Sequence, residues 1–215
     1  MALGEHRKII LRDVLPLDIF NKLKEIAKEK NEAYNATLAG NILREETISH
    51  HIPLLEEFIT KSIKLYSPFN EVTAEFLKIL PGDDNLVTLK LTNLWINHMK
   101  QHEFNPVHRH SGHFSFIIFV QIPFDGEELR KNSPGVKGNY NLSGGVSFFH
   151  SGSDNPMEFF TEEKILPDRS WEGQVLIFPA HLHHCVYPFY NTDEARITVS
   201  GNIWIERKTR AEIEK

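Results

Sequence analysis

The 215-residue sequence has one cysteine, Cys185, which excludes an internal disulfide framework and any cysteine-rich zinc site and suits a reducing compartment. It has no run of about 18 successive apolar residues, and charges break up its N-terminal stretch MALGEHRKIILRDVLP. Neither a signal peptide nor a membrane span is expected. Positive charge is not in excess: 24 Lys and Arg stand against 29 Asp and Glu, a net charge of −5. The broad basic footprint of a non-specific nucleic-acid binder is therefore missing. No internal repeat or low-complexity segment is visible.

What the sequence does contain is an ordinary globular composition, 40% hydrophobic and 25% charged, in a length that suits one domain able to bury a core. Two features stand out. Phenylalanine occurs 15 times, and the 12 histidines are clustered, with His98, His102, His108, His110 and His113 close together and His181, His183 and His184 forming a second group.

Leu17, Ile19, Phe20, Leu23, Ile26 and Ala27 recur at three- and four-residue steps, which predicts an amphipathic helix over 17–30 beginning near Pro16. Leu54, Leu55, Phe58, Ile59, Ile63 and Tyr66 predict a second helix over 53–66, with Pro68 just beyond its end. Residues 1–80 therefore read as a helical prefix. After PGDD at 81–84 the pattern changes to short β-branched and aromatic runs parted by Gly, Pro, Asn and Asp, at 86–99, 113–122, 144–150, 157–160, 174–179, 184–189 and 195–205. Seven such runs predict a mainly β fold, an antiparallel sandwich or jelly roll over about 81–206, with a short tail at 207–215. The polar stretch 124–141 is long for a β connection and is expected to be a mobile surface loop or a lid.

The chemistry lies in FNPVHRHSGH and GQVLIFPAHLHHCVYP. Residues i and i+2 of an extended backbone point to one side, so His108 and His110 can address one point in space. His184 follows a distant apolar strand and a Phe-Pro turn. Three neutral imidazoles so arranged can hold Fe(II) or another divalent ion and leave positions open for substrates.

The order W-x-N, NPVHRHSG, SFIIFVQIP, GQVLIFPAHLHHCVYP and RITVSGN, with a weaker TLAGNI at 37–42, resembles the Fe(II)- and 2-oxoglutarate-dependent oxygenases, in particular a group common in marine cyanobacterial viruses. The resemblance spans about residues 35–204 and implies a double-stranded β-helix, a cupin-like jelly-roll barrel with helices packed on one side. It makes His108 the first iron ligand and His184 the distal one, and matches Arg196 to the arginine that binds the distal carboxylate of 2-oxoglutarate. A guanidinium suits that task, since it can grip a carboxylate through two parallel charge-assisted bonds. The bland reading of Arg196 is a solvated residue paired with Asp193 or Glu194. Thr198 and Ser200 alternate onto the same strand face and can assist it; Asn97 is a further candidate to hydrogen-bond the co-substrate, and Trp95 shares its strand face.

One position departs from the common pattern. Most such oxygenases place a carboxylate two residues after the first histidine, where this chain has His110. The third ligand is thus expected to be His110, with His113 its competitor and Glu103 a more remote carboxylate candidate. Lacking a small residue at that position, the chain is not expected to halogenate. His181 and His183 are expected at the rim or behind the ligands, and Cys185 as a small buried residue.

The resulting expectation is an iron-dependent dioxygenase, an oxidoreductase that hydroxylates a small-molecule or peptide substrate with release of succinate and CO2. No nucleic-acid or membrane partner is expected, the location is cytoplasmic (the host cytoplasm if the protein is viral), and a homodimer is left open. The rivals are a cupin-like three-histidine metalloenzyme that does not use 2-oxoglutarate, and a non-enzymatic jelly-roll binding or structural module.

Overall fold

A computed structural model describes residues 10–65, 86–150 and 161–208 of the protein. Its first strand, β1 (Leu11–Val14), leads through Pro16 into α1 (Leu17–Ile26), whose Leu23 and Ile26 are buried. The helix stops at Ile26 rather than Lys30. Beyond it the backbone N–H groups of Lys28 and Glu29 turn back to the carbonyls of Glu25 and Ile26, tightened bonds that use up the last free carbonyls of the helix. The second helix, α2 (Ile52–Leu65), buries Leu55, Ile59 and Ile63 along one stripe. Tyr66 and Pro68 lie outside the described residues.

The prefix is not purely helical, which corrects the sequence reading. It also supplies β1, β2 (Glu32–Ala33) and β3 (Glu45–Thr47). Strands of two to four residues are too short to show a period in the sequence, and they owe their conformation to the sheet edges they join. The remaining strands are β4 (Leu86–Met99), β5 (Asn105–His108), β6 (Phe114–Gln121), β7 (Val146–His150), β8 (Thr161–Ile165), β9 (Gln174–Pro179), β10 (His183–Val186) and β11 (Arg196–Lys208). They form a seven-stranded sheet in the order β1-β9-β6-β11-β4-β3-β2 and a four-stranded sheet in the order β5-β10-β7-β8, with every pairing antiparallel. This is the expected mainly β jelly roll. The expected strand at 157–160 falls outside the described residues. No helix among the described residues is long and apolar enough to cross a membrane.

The larger sheet is covered on both faces. Outward, Leu94 and Ile96 of β4, Phe114, Phe116 and Ile118 of β6, and Val199 and Ile203 of β11 pack with Leu23, Ile26, Leu55 and Ile59 of the two helices. Inward, Ile117, Phe119, Leu176 and Phe178 pack with Val146, Phe148 and Val186 of the smaller sheet. A strand covered on both faces loses the usual in-out alternation, which is why β6 reads FSFIIFVQ, with seven of its eight residues buried.

The stretch 124–141 is more ordered than the plain loop expected of it. It forms α3 (Gly126–Asn132), whose N-terminus is capped by Asp125 accepting from the backbone N–H groups of Glu127 and Glu128 at 3.0 and 2.9 Å. Phe124 and Leu129 are buried in the inner core, and none of residues 124–141 lines the central cavity. The sequence reading missed this because seven residues hold too few turns to show a helical period. Leu129→Ala is expected to destabilise the protein by about 2–5 kcal/mol, the range for truncating a buried leucine, in equilibrium denaturation. An effect near zero would restore the loop reading.

Candidate active site

The inner faces of the two sheets enclose a cavity of about 290 Å³. On the smaller sheet, His184 of β10 stands directly opposite His108 of β5, and its other neighbour is Phe148 of β7. The His108 and His184 rings are 4.3 Å apart between centroids. His110 lies just past the end of β5, where its backbone N–H bonds to the carbonyl of Ala180 at 2.8 Å. Its Nε2 is 3.2 Å from Nε2 of His184. Each of the three imidazoles offers a ligand atom within 4.8 Å of the others, and among the described residues this is the group of His, Cys, Asp and Glu side chains so disposed.

The backbone sets the tautomers. Nδ1 of His184 is 3.0 Å from the carbonyl of Leu182, and Nδ1 of His108 is 2.7 Å from the carbonyl of Pro106. A carbonyl only accepts, so both Nδ1 atoms carry the proton and each Nε2 keeps its lone pair, that of His184 facing Nε2 of His110. Burial also keeps the rings neutral: His110 is pushed down to about 3, and His108 and His184 are lowered as well. A buried cluster of neutral, pre-oriented imidazoles is the form a divalent metal requires.

Arg196, the first residue of β11, lies opposite Met99 of β4 and is 3% exposed. It donates to the carbonyl of Gly144 at 3.0 Å and to Sδ of Met99 at 3.1 Å, while its Nε has no partner among the described residues. Neither Asp193 nor Glu194 pairs with it: Asp193 accepts from Gln101, and among the described residues no carboxylate stands within salt-bridge distance of Arg196. Burial lowers its pKa to about 10, still far above neutrality, so Arg196 is a buried cation with no carboxylate in direct contact among the described residues. Gly144 adopts a φ of +73°, and a Cβ there would come within 2.7 Å of Leu129. Only glycine presents its carbonyl to Arg196 in this way.

Thr198 and Ser200 follow on the same face of β11, and both are buried. Thr198 stands opposite Asn97 and accepts from its Nδ2 at 3.3 Å, while Asn97 Oδ1 is left without a partner. Trp95 also lines the cavity, 5.5 Å from the His110 ring.

The competing candidates lie elsewhere. His113 accepts from the backbone N–H of Ile205 at 3.0 Å and meets the edge of Trp204, outside the cavity. Glu103 accepts from the backbone N–H groups of Leu43 and Lys100. His98 points to the outer face, 3.9 Å from Glu46. His181 and His183 are exposed, and Cys185 is buried, which pushes its thiol up. Sequence reasoning missed Glu45, Asn105 and Asn202, which also line the cavity. A signal existed for Asn202 alone, which continues the alternation Arg196, Thr198, Ser200.

The sequence profile of a family described as "Putative 2OG-Fe(II) oxygenase" matches residues 93–202, more than half of the chain. The chain belongs to this oxygenase family. Fe(II) and 2-oxoglutarate are accordingly the cofactor and co-substrate of the oxygenase, and the three imidazoles and the unpaired Arg196 donor are groups that suit them. No curated protein matches the sequence. Among solved structures, the oxygenase is similar to a prolyl-4-hydroxylase from Pseudomonas putida, at 12% identity and a TM-score of 0.50 over 93% of this chain and 92% of that one. It is also similar to the non-heme α-ketoglutarate-dependent epimerase SnoN from nogalamycin biosynthesis, at 12% identity and a TM-score of 0.50 over 94% of this chain and 82% of that one. At such identities the likeness is one of fold.

Proposed function

We propose that this oxygenase hydroxylates an organic substrate with release of succinate and CO2, holding Fe(II) on His108, His110 and His184 and the distal carboxylate of 2-oxoglutarate on Arg196. The observation that supports this most is that one cavity joins three neutral imidazoles to a buried guanidinium with an unused donor. Fe(II), when bound, supplies the activation of dioxygen. The protein's residues supply the rest.

The carbonyls of Leu182 and Pro106 hold the His184 and His108 rings with Nε2 inward, so neither of these two rings must lose a proton before a metal binds. Arg196 offers Nε to a carboxylate while Gly144 and Met99 fix the rest of its fork. Thr198, Ser200 and Asn97 border the same wall and offer hydroxyl and amide groups to the co-substrate. Ile117, Phe119, Val146 and Val186 close the cavity floor and keep bulk water from the reacting centre. The helical segment and the barrel act as one unit in this reading, because β3 contributes Glu45 to the cavity wall.

Protein supplied with Fe(II), 2-oxoglutarate and dioxygen is expected to release succinate slowly without a second substrate, and faster when candidate metabolites or peptides include the true one. Absence of succinate under every condition would favour a three-histidine metalloenzyme that does not use 2-oxoglutarate.

A further inference from the structure

The cavity has a second polar wall that 2-oxoglutarate does not explain. Glu45 lies on β3 directly opposite Asn97 of β4, a register that puts the two side chains on one face of the sheet. Glu45 is 1% exposed. Among the described residues its one side-chain hydrogen bond comes from Nδ2 of Asn35 at 3.5 Å, the outer limit for such a contact. Among the described residues no Lys, Arg or His stands within salt-bridge distance of it.

The neighbours make the deficit larger. Oδ1 of Asn105 is buried without a partner, and both this atom and Oε1 of Glu45 lie 2.5 Å from where a Cβ on Gly40 would stand. The two oxygens thus pack side by side against Gly40, at a wall of the cavity that all three residues line. Oδ1 of Asn202, on the same cavity, is also unpartnered. Burial and the nearby charge of Glu103 push the Glu45 carboxyl up to about 7, as fits a carboxylate without a counter-charge. Glu45 is not part of the three-imidazole group.

Unpaired buried acceptors call for a ligand that brings donors. A dicarboxylate such as 2-oxoglutarate brings only acceptors and is repelled by Glu45, so the donors belong to the other substrate. We infer that Glu45 is a specificity-determining residue that receives a cationic nitrogen of the prime substrate, with Asn105 accepting a further N–H, so that the substrate is a primary amine or a similarly protonated nitrogen compound. Tyr34 and Trp95, which line the same cavity with ring centroids 6.4 Å apart, supply aromatic faces that favour such a cation.

This inference rests on the proposed function and can be tested apart from it. Protein loaded with Fe(II) and 2-oxoglutarate, kept free of oxygen so that nothing turns over, is titrated with n-pentylamine, n-pentanol and n-pentanoate, three probes of one skeleton, and binding is followed by ligand-observed NMR. The amine is expected to bind at least about tenfold more tightly than the alcohol or the acid, as a charge-assisted contact implies. Glu45→Gln should erase that preference while iron content and 2-oxoglutarate affinity stay as in the wild type. Equal binding of the three probes to the wild-type protein, a comparison that needs no variant, would overturn the inference, as would an amine preference that survives in Glu45→Gln. Loss of iron in Glu45→Gln would also overturn it, by tying the carboxylate to the metal. Failure of the wild-type protein to bind 2-oxoglutarate would instead strike the proposed function, and the probe comparison on iron-loaded protein would still decide the role of Glu45.

Discussion

His184→Ala is expected to abolish Fe(II) binding: protein loaded without oxygen should fall from about one ion per chain to a small fraction of that, because two imidazoles hold a divalent ion poorly. His184 is the most deeply placed of the three, 1% exposed and ringed by His108, His110, Phe148 and Phe178. The substitution removes an imidazole that is already neutral and already aimed at its two neighbours, so little compensation is available. His108→Ala should act the same way. His110→Ala tests the departure from the two-histidine, one-carboxylate pattern and should lose iron, whereas His113→Ala should keep it, since His113 serves the backbone of Ile205. Metal analysis of the four variants, with far-ultraviolet circular dichroism to confirm folding, checks the set. Normal iron in His184→Ala would remove the proposed centre altogether.

The second large effect is expected at Arg196. Arg196→Ala should raise the apparent KM for 2-oxoglutarate at least about tenfold, in line with a charge-assisted hydrogen bond worth roughly 1.5–3 kcal/mol. Arg196→Lys should recover little of this, because an ammonium cannot reproduce the fork that bonds Gly144 and Met99 while offering Nε to the ligand. Iron affinity should change little in either variant. Removing the guanidinium leaves the buried carbonyl of Gly144 unpaired, which costs about 1–3 kcal/mol of stability, so KM must be measured below the lowered melting point. An unchanged KM would move the carboxylate site elsewhere.

The parts of the molecule visible in the sequence are those with a period or a chemical signature. The stripes of α1 and α2 and the strand runs 86–99 and 174–179 were readable because each is long enough to show its burial pattern. The histidines at 108, 110 and 184 stood out by their clustering and spacing, and Arg196 through the resemblance to the oxygenases; the fold brings all four to one cavity. The sheet edges were not. β3 has three residues and no alternation, so nothing in REETIS signalled that Glu45 would face the cavity while Glu46 pairs with Arg44 on the opposite face.

The choice between His110 and His113 was hidden for a different reason. Gly112 adopts a φ of +94°, and a Cβ there would come within 2.9 Å of the Ile203 carbonyl. The turn it permits breaks the extended run and sends His113 towards Trp204. A sequence shows a glycine at this point, but it does not show the sign of its φ. The helix at 126–132 was concealed likewise, since its one fully buried residue of any size, Leu129, makes no stripe.

The central claim is that the imidazole cluster and Arg196 serve a single ligand. Calorimetric titration of 2-oxoglutarate without oxygen, in the presence and absence of Fe(II), tests it most directly, because a ligand that engages both the ion and the guanidinium must couple them. The account predicts binding at least about tenfold tighter with Fe(II) than without, with the gain lost in His184→Ala and the overall affinity reduced in Arg196→Ala. Identical affinity with and without Fe(II), in a protein shown to hold the ion, would contradict it.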